Sequence, residues 1–451
     1  MIKGSKGFTL LLSIMTIVVV TILVGAIFAA LITHIGQIAG QNDAIRAYNV
    51  AEAGLARGII ELRQFPAPPR IPPSILSWRA DNNFIIDANY AGSYSVDLHD
   101  RSPSLGALRS FELVSTGTCR GINRTLHLTV FQKSFAQWAY FSDSENTPSG
   151  TPLQFYTGNI IDGPLHTNGQ LSISGSPIFT GRVSSAAGSV NYNSPGSPQF
   201  QGGLFLNVPA ITVPAASLIM TPLSAAASDP ADGVYLTGNT TIVFKNTTPG
   251  TMTITNTAAY PTGSHTGTIA LPDNGAIFID GGNLNISGTL NGKVTVGALN
   301  QGTNGGSITV VENLKYAGPR DANGLPTDPD NMLQLVAAKN VYVLADSTVP
   351  HRDIEIDAYI IALGDSFEVK DWQTVRENGV LTVFGGIMQM HRGFVQSATF
   401  SGDPFDPFRL TGYQKDYHYD ERLLLDSPLY SFPLVDDTRR IVYAKRLWEG
   451  R

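Results

Sequence analysis

The chain has 451 residues and a formal net charge of −6, from 30 Lys and Arg against 36 Asp and Glu. This length is enough for roughly two or three domains, and the charge balance lacks the basic excess of nucleic-acid-binding proteins. The single cysteine, Cys119, excludes an internal disulfide, so an exported part would have to be stable through packing alone. The sequence has no phosphate-binding loop, which excludes an assembly motor.

A long apolar segment follows a short basic leader at the N-terminus. No charged residue occurs between Lys6 and Asp43, and the apolar run extends from Phe8 to about Ile32. A run of about 25 apolar residues can cross the hydrocarbon core of a membrane as a helix. With Lys3 and Lys6 in front of it, the positive-inside rule predicts a cytoplasmic N-terminus and export of the rest. The run is too long for the apolar region of a secretory signal peptide, and an uncleaved single-pass anchor remains an alternative.

Residues 6–10 (KGFTL) resemble the class III leader of type IV pilins and of the pseudopilins of type II secretion. The resemblance implies that a prepilin peptidase cuts after Gly7 and N-methylates Phe8, so residues 1–7 are a leader peptide. It also implies a single-pass subunit of the bacterial inner membrane that later joins other pilin or pseudopilin subunits in a filament. The mature chain would then reach the periplasm or the cell surface.

Leu12 stands at the fifth mature position, where major pilins of this family carry a glutamate. In the family, this carboxylate meets the N-terminal amine of a neighbouring subunit inside the filament. A buried amine without a partner is costly, so a repeating subunit needs the pairing and a tip subunit does not. Leu12 therefore predicts a low-copy subunit at or near the tip, as in K-type pseudopilins and PilX-like minor pilins.

The helix is predicted over residues 8–64, because apolar residues recur near helical spacing from Asn42 to Gln64. Residues 47–55 resemble the A-x-x-A-E-A-G-L element of PilX-like proteins. Its small residues permit close packing, either in a filament core or on the head of the same chain. Alternating residues at 94–98 and 126–130 predict antiparallel strands, and residues 113–124 resemble the S-T-G…G…R strand-turn of pilin sheets. Residues 65–134 are therefore predicted to form a small pilin-like β domain.

The composition changes after residue 134 and becomes rich in Gly, Asn, Ser and Thr. The frame G-x-L-x-[IV]-x-G occurs at residues 169–175, 282–288 and 379–385. Each copy is a short strand with two apolar residues on one face, closed by glycines that permit tight corners. Such units bury a face by stacking, so residues 135–435 are predicted to form a parallel β-helix or related solenoid of about ten coils. A β-sandwich is the alternative, and residues 436–451 form a C-terminal tail. The predicted fold class is mainly β with a long N-terminal α-helix.

Four segments within residues 135–435 resemble an uncharacterised β-rich domain found fused to pilin-like N-termini in bacteria. They are residues 162–169, 335–343, 384–387 and 417–423. The resemblance supplies no activity. Aromatic residues near the C-terminus are predicted to cap the open end of the solenoid, although exposed aromatics would suit a sugar-binding surface. These aromatics are Tyr413, Tyr417, Tyr419, Tyr430, Phe432, Tyr443 and Trp448.

An acidic run is the nearest candidate for catalysis, because extended β-helices include polysaccharide lyases. The run comprises Asp346, His351, Arg352, Asp353, Glu355 and Asp357, followed by Asp365, Glu368 and Asp371. On a strand, Asp353, Glu355 and Asp357 share one face while Ile354 and Ile356 face the core, and a solvated outer face explains this pattern. His166 has no Ser or Cys nucleophile context, so we interpret it as a hydrogen-bonded turn histidine. We predict that the chain is not an enzyme.

The loop that contains Asp321, Asn323, Asp328 and Asp330 has the oxygen density of a calcium site. Its spacing departs from the EF-hand pattern, because Leu325 and Met332 occupy positions that need oxygen ligands. Loops rich in Asp, Asn, Gly and Pro are also good turns. Calcium is therefore the weaker interpretation, and no other cofactor is predicted.

These features predict a minor pilin-like subunit that presents a large β-rich domain for adhesion or for the initiation of assembly. Its partners would be the prepilin peptidase, other subunits, the inner membrane and a surface glycan or protein ligand, but no nucleic acid. The alternative is a membrane-anchored carbohydrate-active enzyme or surface protein that keeps its N-terminal helix.

Overall fold

A computed structural model describes most of the chain. The described residues are 5–64, 76–78, 84–85, 91–100, 110–132, 134–259, 264–299, 305–344, 352–372, 379–400, 408–424, 441–442 and 447–449. They form a long N-terminal helix, a small antiparallel sheet and a large β-rich domain, which confirms the predicted fold class. Two compact units divide the chain. Unit 1 comprises Met1–Arg101, Phe111–Val130 and Ala444–Arg451, and unit 2 comprises Ser102–Ser110 and Phe131–Tyr443.

Unit 1 contains the helix α1 and an antiparallel sheet whose strands follow the order β1-β3-β4-β5, with β2 paired to β3. The elements are α1 Ser5–Gln64, β1 Leu76–Trp78, β2 Phe84–Ile85, β3 Ala91–Asp100, β4 Ser110–Cys119 and β5 Ile122–Gln132. Strands β3 and β5 contain the two predicted alternating segments. Arg120 and Gly121 both have positive φ angles, of 46° and 82°, as a two-residue type I′ hairpin turn between β4 and β5 requires.

The second half of α1 packs on the sheet of unit 1 with its smallest residues. Ala47 and Ala51 are buried, and a Cβ atom at Gly117 of β4 would collide with the Ala47 carbonyl oxygen and the Ala51 backbone nitrogen. A Cβ at Gly54 of the helix would likewise meet the Ser115 hydroxyl. The small residues at positions 47–54 and the glycine of the S-T-G strand therefore permit one close helix–sheet contact within unit 1.

Unit 2 begins with a 3₁₀ helix, Phe135–Gln137, and is built of short strands. The first group is β6 Tyr140–Ser144, β7 Gln154–Tyr156, β8 Ile160–Asp162, β9 Leu165–Thr167, β10 Ser172–Ser174, β11 Ile178–Phe179, β12 Val183–Ser185, β13 Asn191–Ser194, β14 Gln199–Phe200 and β15 Leu204–Phe205. Helix α2, Ala216–Ala227, separates this group from the strands that follow.

The remaining strands of the chain run from residue 234 to residue 449. They are β16 Val234–Thr237, β17 Thr240–Lys245, β18 Thr251–Ala259, β19 Ser264–Ala270, β20 Ala276–Asp280, β21 Leu284–Leu290, β22 Lys293–Leu299, β23 Ile308–Tyr316, β24 Met332–Ala337, β25 Val341–Leu344, β26 Ile354–Ala362, β27 Phe367–Lys370, β28 Val380–His391, β29 Gln396–Phe400, β30 Phe408–Gly412, β31 Gln414–Tyr419, β32 Ile441–Val442 and β33 Leu447–Glu449. A second 3₁₀ helix, Glu421–Leu424, follows β31. Strand β33 returns to the sheet of unit 1, where it pairs with β5.

Unit 2 is a parallel β-helix whose coils present three faces. Face A is one continuous ladder of parallel pairings through ten strands. Their stacking order is β16, β20, β22, β24, β26, β28, β6, β9, β12 and β15. Face B ends in β7, β10 and β13, and face C contains β31, β8, β11 and β14. Ten strands at about 4.8 Å spacing give a stack of roughly 45 Å, as predicted for a solenoid.

The stacking order of the coils differs from their order along the chain. Strand β28 pairs through residues 380–385 with β31 and through residues 387–391 with β6. Strands β31 and β6, from opposite ends of unit 2, therefore complete a single coil, which we call the junction coil. From there β7–β15 continue to one end of the stack, and the chain then returns through α2 to begin again at β16.

The two ends of the β-helix differ. At the end formed by β16 and β17, the antiparallel hairpin β18–β19 pairs with β17, and we call this the closed end. At the other end, β13, β14 and β15 have one partner strand each among the described residues, and we call this the open end. Buried Asn256 of the hairpin donates to the Thr237 carbonyl oxygen and to the Thr240 hydroxyl, which ties the hairpin to the closed end.

Two hydrophobic clusters stabilise unit 2. One fills the interior of the coils, and the other covers the outer side of face A. In the second cluster, Ile219, Met220 and Leu223 of α2 pack with Phe278 and Val336 of the sheet. Helix α2 is thus buried against face A on the return path of the chain.

The first two repeat copies, residues 169–175 and 282–288, end at the corner that leads into face C, whereas Gly385 of the third copy lies inside β28, between its pairings with β31 and β6. Their apolar pairs, such as Leu171 with Ile173 and Leu284 with Ile286, are buried. The closing glycines Gly175, Gly288 and Gly385 have φ angles of +83°, +101° and +147°, a region that favours glycine. The predicted role of these glycines at tight corners is confirmed.

The prediction that C-terminal aromatics cap the open end is wrong for the three that the structure describes, Tyr413, Tyr417 and Tyr419. Tyr413 and Tyr417 are buried in the interior cluster, on or next to β31 in the junction coil. Tyr419 donates its hydroxyl to the Ala136 carbonyl oxygen. Because β31 lies between β28 and β8, these side chains fill the middle of the stack. Tyr430, Phe432 and Tyr443 lie outside the described residues, as does the side chain of Trp448.

Candidate functional site

The first half of α1 is apolar on every side and makes its side chains available to other molecules. By length and composition, one helix among the described residues, Leu10–Leu62, could cross a membrane. Phe8 is 69% exposed and Leu12 is 55% exposed. The hydroxyls of Thr16 and Thr21 donate to the carbonyl oxygens of Leu12 and Ile17, so they need no water in an apolar environment. Gly7 and Phe8 both lie within α1, before this apolar span.

The junction coil is the second candidate site, because it gathers the charged groups of the β-helix interior. The Arg392 guanidinium lies 2.7 Å from the Glu145 carboxylate, and both side chains are almost fully buried. Arg392 also donates to the carbonyl oxygens of Leu153 and Gln154 and stacks on the Phe155 ring at 3.7 Å. The other oxygen of the Glu145 carboxylate accepts a hydrogen bond from Ser142.

Burial dominates the acid–base behaviour of these groups. It lowers the pKa of Lys415, on β31, well below the usual range, and the positive charge of Arg392 adds to this effect. The Lys415 ammonium lies 5.8 Å from the centre of the Phe155 ring. Burial also raises the pKa of Tyr140 well above the usual range, and the charge of Glu145 adds to it. For Arg392, burial works against the charge, but Glu145 and Tyr140 more than offset it, so the pKa is raised.

On the outer side of the junction coil, a histidine connects an N-terminal strand of unit 2 with a C-terminal one. In His418 of β31, Nε2 lies 3.0 Å from an Asp416 carboxylate oxygen, and Nδ1 lies 3.3 Å from an Asp162 oxygen on β8. The hydrogen bond to Asp416 is the largest cause that raises the pKa of His418, and Asp162 contributes in the same direction. Thr180, just after β11, donates to Asp162, so this polar contact spans three successive coils.

Residues 162–169 make several of the contacts around the junction coil. Gly163 has a φ angle of +131°, and a Cβ there would press on Tyr419 and Ala139. The Asn168 side chain donates to the Ile211 carbonyl oxygen at 2.7 Å and accepts from the Ile211 backbone N–H at 2.8 Å. It therefore holds the returning chain against the coil.

His166 is a buried strand residue, which corrects its interpretation as a turn histidine. It lies in β9, its ring stacks on Phe141 at 5.6 Å, and Nδ1 lies 2.9 Å from the Ser184 hydroxyl. Its hydrogen-bonded state is confirmed, whereas the turn is wrong because β9 pairs with both β6 and β12.

The acidic run on β26 is partly buried, which corrects the prediction of a solvated outer face. Ile354 and Ile356 face the core as predicted. Asp357, however, is 2% exposed and lies 2.5 Å from the Arg320 guanidinium. Burial raises the pKa of Asp357 despite hydrogen bonds from the Tyr316 backbone N–H and Arg320.

Other members of the acidic run form local pairs. The Glu355 carboxylate lies 2.6 Å from the Lys315 ammonium, and Asp353 accepts a hydrogen bond from the Val380 backbone N–H. Burial raises the pKa of Asp365 and Glu368, and Asp371 has a positive φ angle of 55° just after β27. Asp346 and His351 lie outside the described residues. Arg352 pairs at the surface with Glu312 at 4.0 Å.

The loop predicted as a calcium site uses its carboxylates for its own turns. One Asp321 carboxylate oxygen accepts the backbone N–H groups of Asn323 and Leu325, at 2.8 Å each. An Asp328 carboxylate oxygen accepts the backbone N–H of Asp330 at 2.9 Å, and the Asp328 carbonyl oxygen accepts a hydrogen bond from Arg422. In the described part of the chain, no three His, Cys, Asp or Glu residues are grouped so that they could hold a metal ion. These contacts favour the turn interpretation, and calcium binding stays a prediction.

Sequence reasoning missed Arg392, Glu145 and Lys415. Each stands in a short segment without a repeat frame, and their spacing along the chain is that of ordinary surface charges. The signal that brings them together is the pairing of β28 with both β6 and β31, which no local pattern contains.

Comparisons with known proteins cover part of this architecture. Residues 109–188 match a family described as a domain of unknown function, DUF4900. This stretch runs from the start of β4 to just beyond β12 and includes the segment 162–169. No curated protein matches the chain. Among solved structures, the competence-associated pilin ComZ from Thermus thermophilus is similar, with 14% sequence identity, a TM-score of 0.35, and coverage of 91% of this chain and 98% of that chain.

Proposed function

We propose that this chain is a minor pilin-like subunit of a type IV pilus or a related secretion filament. It sits at or near the tip and presents the β-helix of unit 2 for adhesion or for the initiation of assembly. It is made in the inner membrane with its N-terminus in the cytoplasm, and a prepilin peptidase removes residues 1–7. The mature chain then joins other subunits in the periplasm or at the cell surface.

The observation that carries the proposal is the difference in exposure between the two halves of α1. The part that contains Phe8 and Leu12 exposes apolar side chains all round, whereas Ala47, Ala51 and Leu55 are buried on the sheet of unit 1. A helix that is apolar on every side needs lipid or other apolar helices around it. Because one unbroken helix joins both parts, cleavage after Gly7 would leave the membrane segment on the folded head, as filament assembly requires.

The pairing of charged side chains in unit 2 supports a role in presenting a binding surface over a catalytic role. The charged groups in the interior of the junction coil are paired or buried, and the acidic run on β26 is held in ion pairs with Lys315 and Arg320. Carboxylates whose charge is matched by a neighbouring lysine or arginine have little freedom for proton transfer to a substrate.

Mass spectrometry of the mature N-terminus tests the leader. We expect a chain that begins with N-methylated Phe8 when the prepilin peptidase is present. Gly7→Val should block the cut, whereas Gly4→Val, the same change three residues earlier in the leader, should leave it intact. An intact Met1 in the wild-type chain, or a cut near residue 35, would contradict the proposal.

The position in the filament is tested at Leu12. If the lack of a carboxylate restricts the chain to the tip, Leu12→Glu should allow it to enter the shaft, so immunogold labelling would move from filament ends to the whole length. Leu11→Glu places the same charge one residue away, on another side of the helix, and should not spread the label. Equal label distribution for both variants and the wild type would refute the role of Leu12.

A further inference from the structure

The open end of the β-helix leaves the interior of the stack uncovered. Each face has an inward ladder of side chains, and the three ladders end at Tyr192, Phe200 and Leu204. Their register partners in the preceding coil are Ile173, Phe179 and Val183, respectively, and all three are fully buried. Tyr192 is 55% exposed although it occupies an inward position, and no further coil stacks on it among the described residues. Phe200 stacks on Phe179 at 5.2 Å with its other face toward the end.

The backbone at the open end is uncovered in the same way. The described pairings give β13, β14 and β15 a partner only on the side of the preceding coil, namely β10, β11 and β12. The other edge of each strand therefore carries backbone N–H and C=O groups that can pair with a further strand. At the closed end, the hairpin β18–β19 pairs with β17, and β16 and β19 each have one described partner strand.

The strand edges at the open end are short, since β14 and β15 have two residues each, but they are also uncharged. Proteins blunt such edges with charged side chains or proline within the strand, and repeat stacks carry polar caps. Residues 183–228 contain no charged residue and no histidine, and the strands β13, β14 and β15 contain no proline. Along the chain this segment is flanked by Arg182 and Asp229, and the Arg182 guanidinium lies over the ring of Phe205 at 4.0 Å.

We propose that the open end is a dimerisation surface that takes the open end of a second copy of this chain. A copy related by a two-fold axis presents the same apolar ends at Tyr192, Phe200 and Leu204, and its three strand edges run antiparallel to the first set. The neutral segment allows two identical surfaces to meet without repulsion, whereas a charged ligand would find no counter-charge there. Because two identical open ends pair about a two-fold axis, the contact closes on itself and stops at two copies instead of growing into a fibre.

Sedimentation velocity of the full chain in density-matched detergent tests the dimer over about 1–100 µM, a range suited to an interface of three short strands. We expect a monomer–dimer equilibrium. Tyr192→Lys should weaken it at least tenfold, because a charge would be buried at a neutral interface. The matched control is Thr255→Lys, an exposed residue of the hairpin at the closed end, which should leave the equilibrium unchanged.

Because two copies of α1 can also associate inside a detergent micelle, a second measurement locates the dimer interface. Cys119 is buried, so a new cysteine at the surface reports its own neighbours. Asn193→Cys should give a disulfide-linked dimer under mild oxidation, and Thr255→Cys should not. A wild-type chain that stays monomeric throughout the concentration range would overturn the proposal. So would equal effects of the substitutions at residues 192 and 255. Both results are independent of whether Phe8 is methylated.

Discussion

Arg392 and Glu145 stand 247 residues apart in the chain, yet they form a buried ion pair at 2.7 Å. Arg392 follows β28, and Glu145 follows β6, so the pair joins the strands that meet in the junction coil. The Arg392 guanidinium also donates to the backbone carbonyl oxygens of Leu153 and Gln154. A buried pair with its other bonds satisfied contributes to the choice of one packing arrangement over others, which we consider its role here.

Removal of one partner of this pair should be severe. We expect Arg392→Met to weaken the junction coil by about 3–5 kcal/mol, because Glu145 would stay buried without a counter-charge. Hydrogen exchange of peptides from β6, β8 and β31 in the full chain would measure this opening. Arg352→Met is the control, since its pair with Glu312 is at the surface and should matter by less than about 1 kcal/mol. Arg392→Met combined with Glu145→Gln should recover part of the loss, and no recovery would contradict the charge argument.

Lys415 should destabilise unit 2 at neutral pH. Burial lowers its pKa well below the usual range, so the folded chain binds this proton less tightly than the unfolded chain. Stability then rises as pH increases from the folded pKa toward the unfolded value of about 10.4. We expect Lys415→Met to stabilise the protein by about 1–3 kcal/mol at pH 7 and by much less near pH 10.

Urea unfolding monitored by tryptophan fluorescence would show the effect at Lys415, since Trp138 contacts His166 of β9 near the junction. Lys370→Met, at an exposed position of β27, is the matched control and should change stability little at either pH. A loss of stability in Lys415→Met at pH 7 would mean that the ammonium is held by interactions stronger than its burial cost.

The contact of His418 with Asp416 and Asp162 should make the junction sensitive to pH. The pKa of His418 is raised in the folded chain, first by the hydrogen bond to Asp416. Its contribution is therefore complete below the unfolded pKa of about 6.5 and is lost as pH rises through the folded value. We expect His418→Gln to cost about 0.5–1 kcal/mol at pH 5.5 and close to nothing at pH 9.

Hydrogen exchange of peptides from β8 and β31, corrected for the intrinsic rate at each pH, would follow this contact. Asp162→Asn should reduce the same pH dependence by removing one carboxylate. His99→Gln changes a histidine of β3 in unit 1 and should leave exchange at the junction unaffected. A pH profile at the junction that is identical in wild type and His418→Gln would exclude this role.

The close helix–sheet contact of unit 1 predicts a selective effect of glycine substitution. Gly117→Ala should force α1 away from β4, because the new Cβ would collide with backbone atoms of Ala47 and Ala51. Cys119 lies two residues away and is buried, so its rate of maleimide labelling reports the opening. We expect an increase of about 30-fold or more, equivalent to at least 2 kcal/mol.

Gly121→Ala is the control for the effect of substitution on the turn. Its φ angle is +82°, but open space surrounds the position of the new Cβ, so strain of about 1 kcal/mol should raise labelling roughly fivefold. Labelling that is faster in Gly121→Ala than in Gly117→Ala would refute the close-contact explanation.

The parts of the fold that depend on local chemistry were predictable. The apolar run of α1, the alternation in β3 and β5, and the glycine corners at Gly175, Gly288 and Gly385 all follow from the side chains of neighbouring residues. Helical periodicity, strand alternation and positive φ angles act over a few residues, so a sequence pattern is enough to recognise them. The same holds for the burial of Ile354 and Ile356.

Such local patterns do not predict the order in which the coils stack. Strands in a parallel β-helix share the same short apolar frame, so each could in principle pair with many others, and local preference does not distinguish them. The choice depends on contacts between distant segments, such as Arg392 with Glu145 and His418 with Asp162. For this reason Tyr417 was expected at an end of the stack and lies in its middle, and Asp357 was expected in solvent and is buried under Arg320.

The identity of the helix, the strands and the corners thus rests on interactions between near neighbours, which the amino-acid order states directly. The junction coil, its buried charges and the uncovered end at Tyr192 arise from pairing across long loops, where the cost of closure and the complementarity of distant surfaces select one arrangement. That selection is a property of the folded chain as a whole.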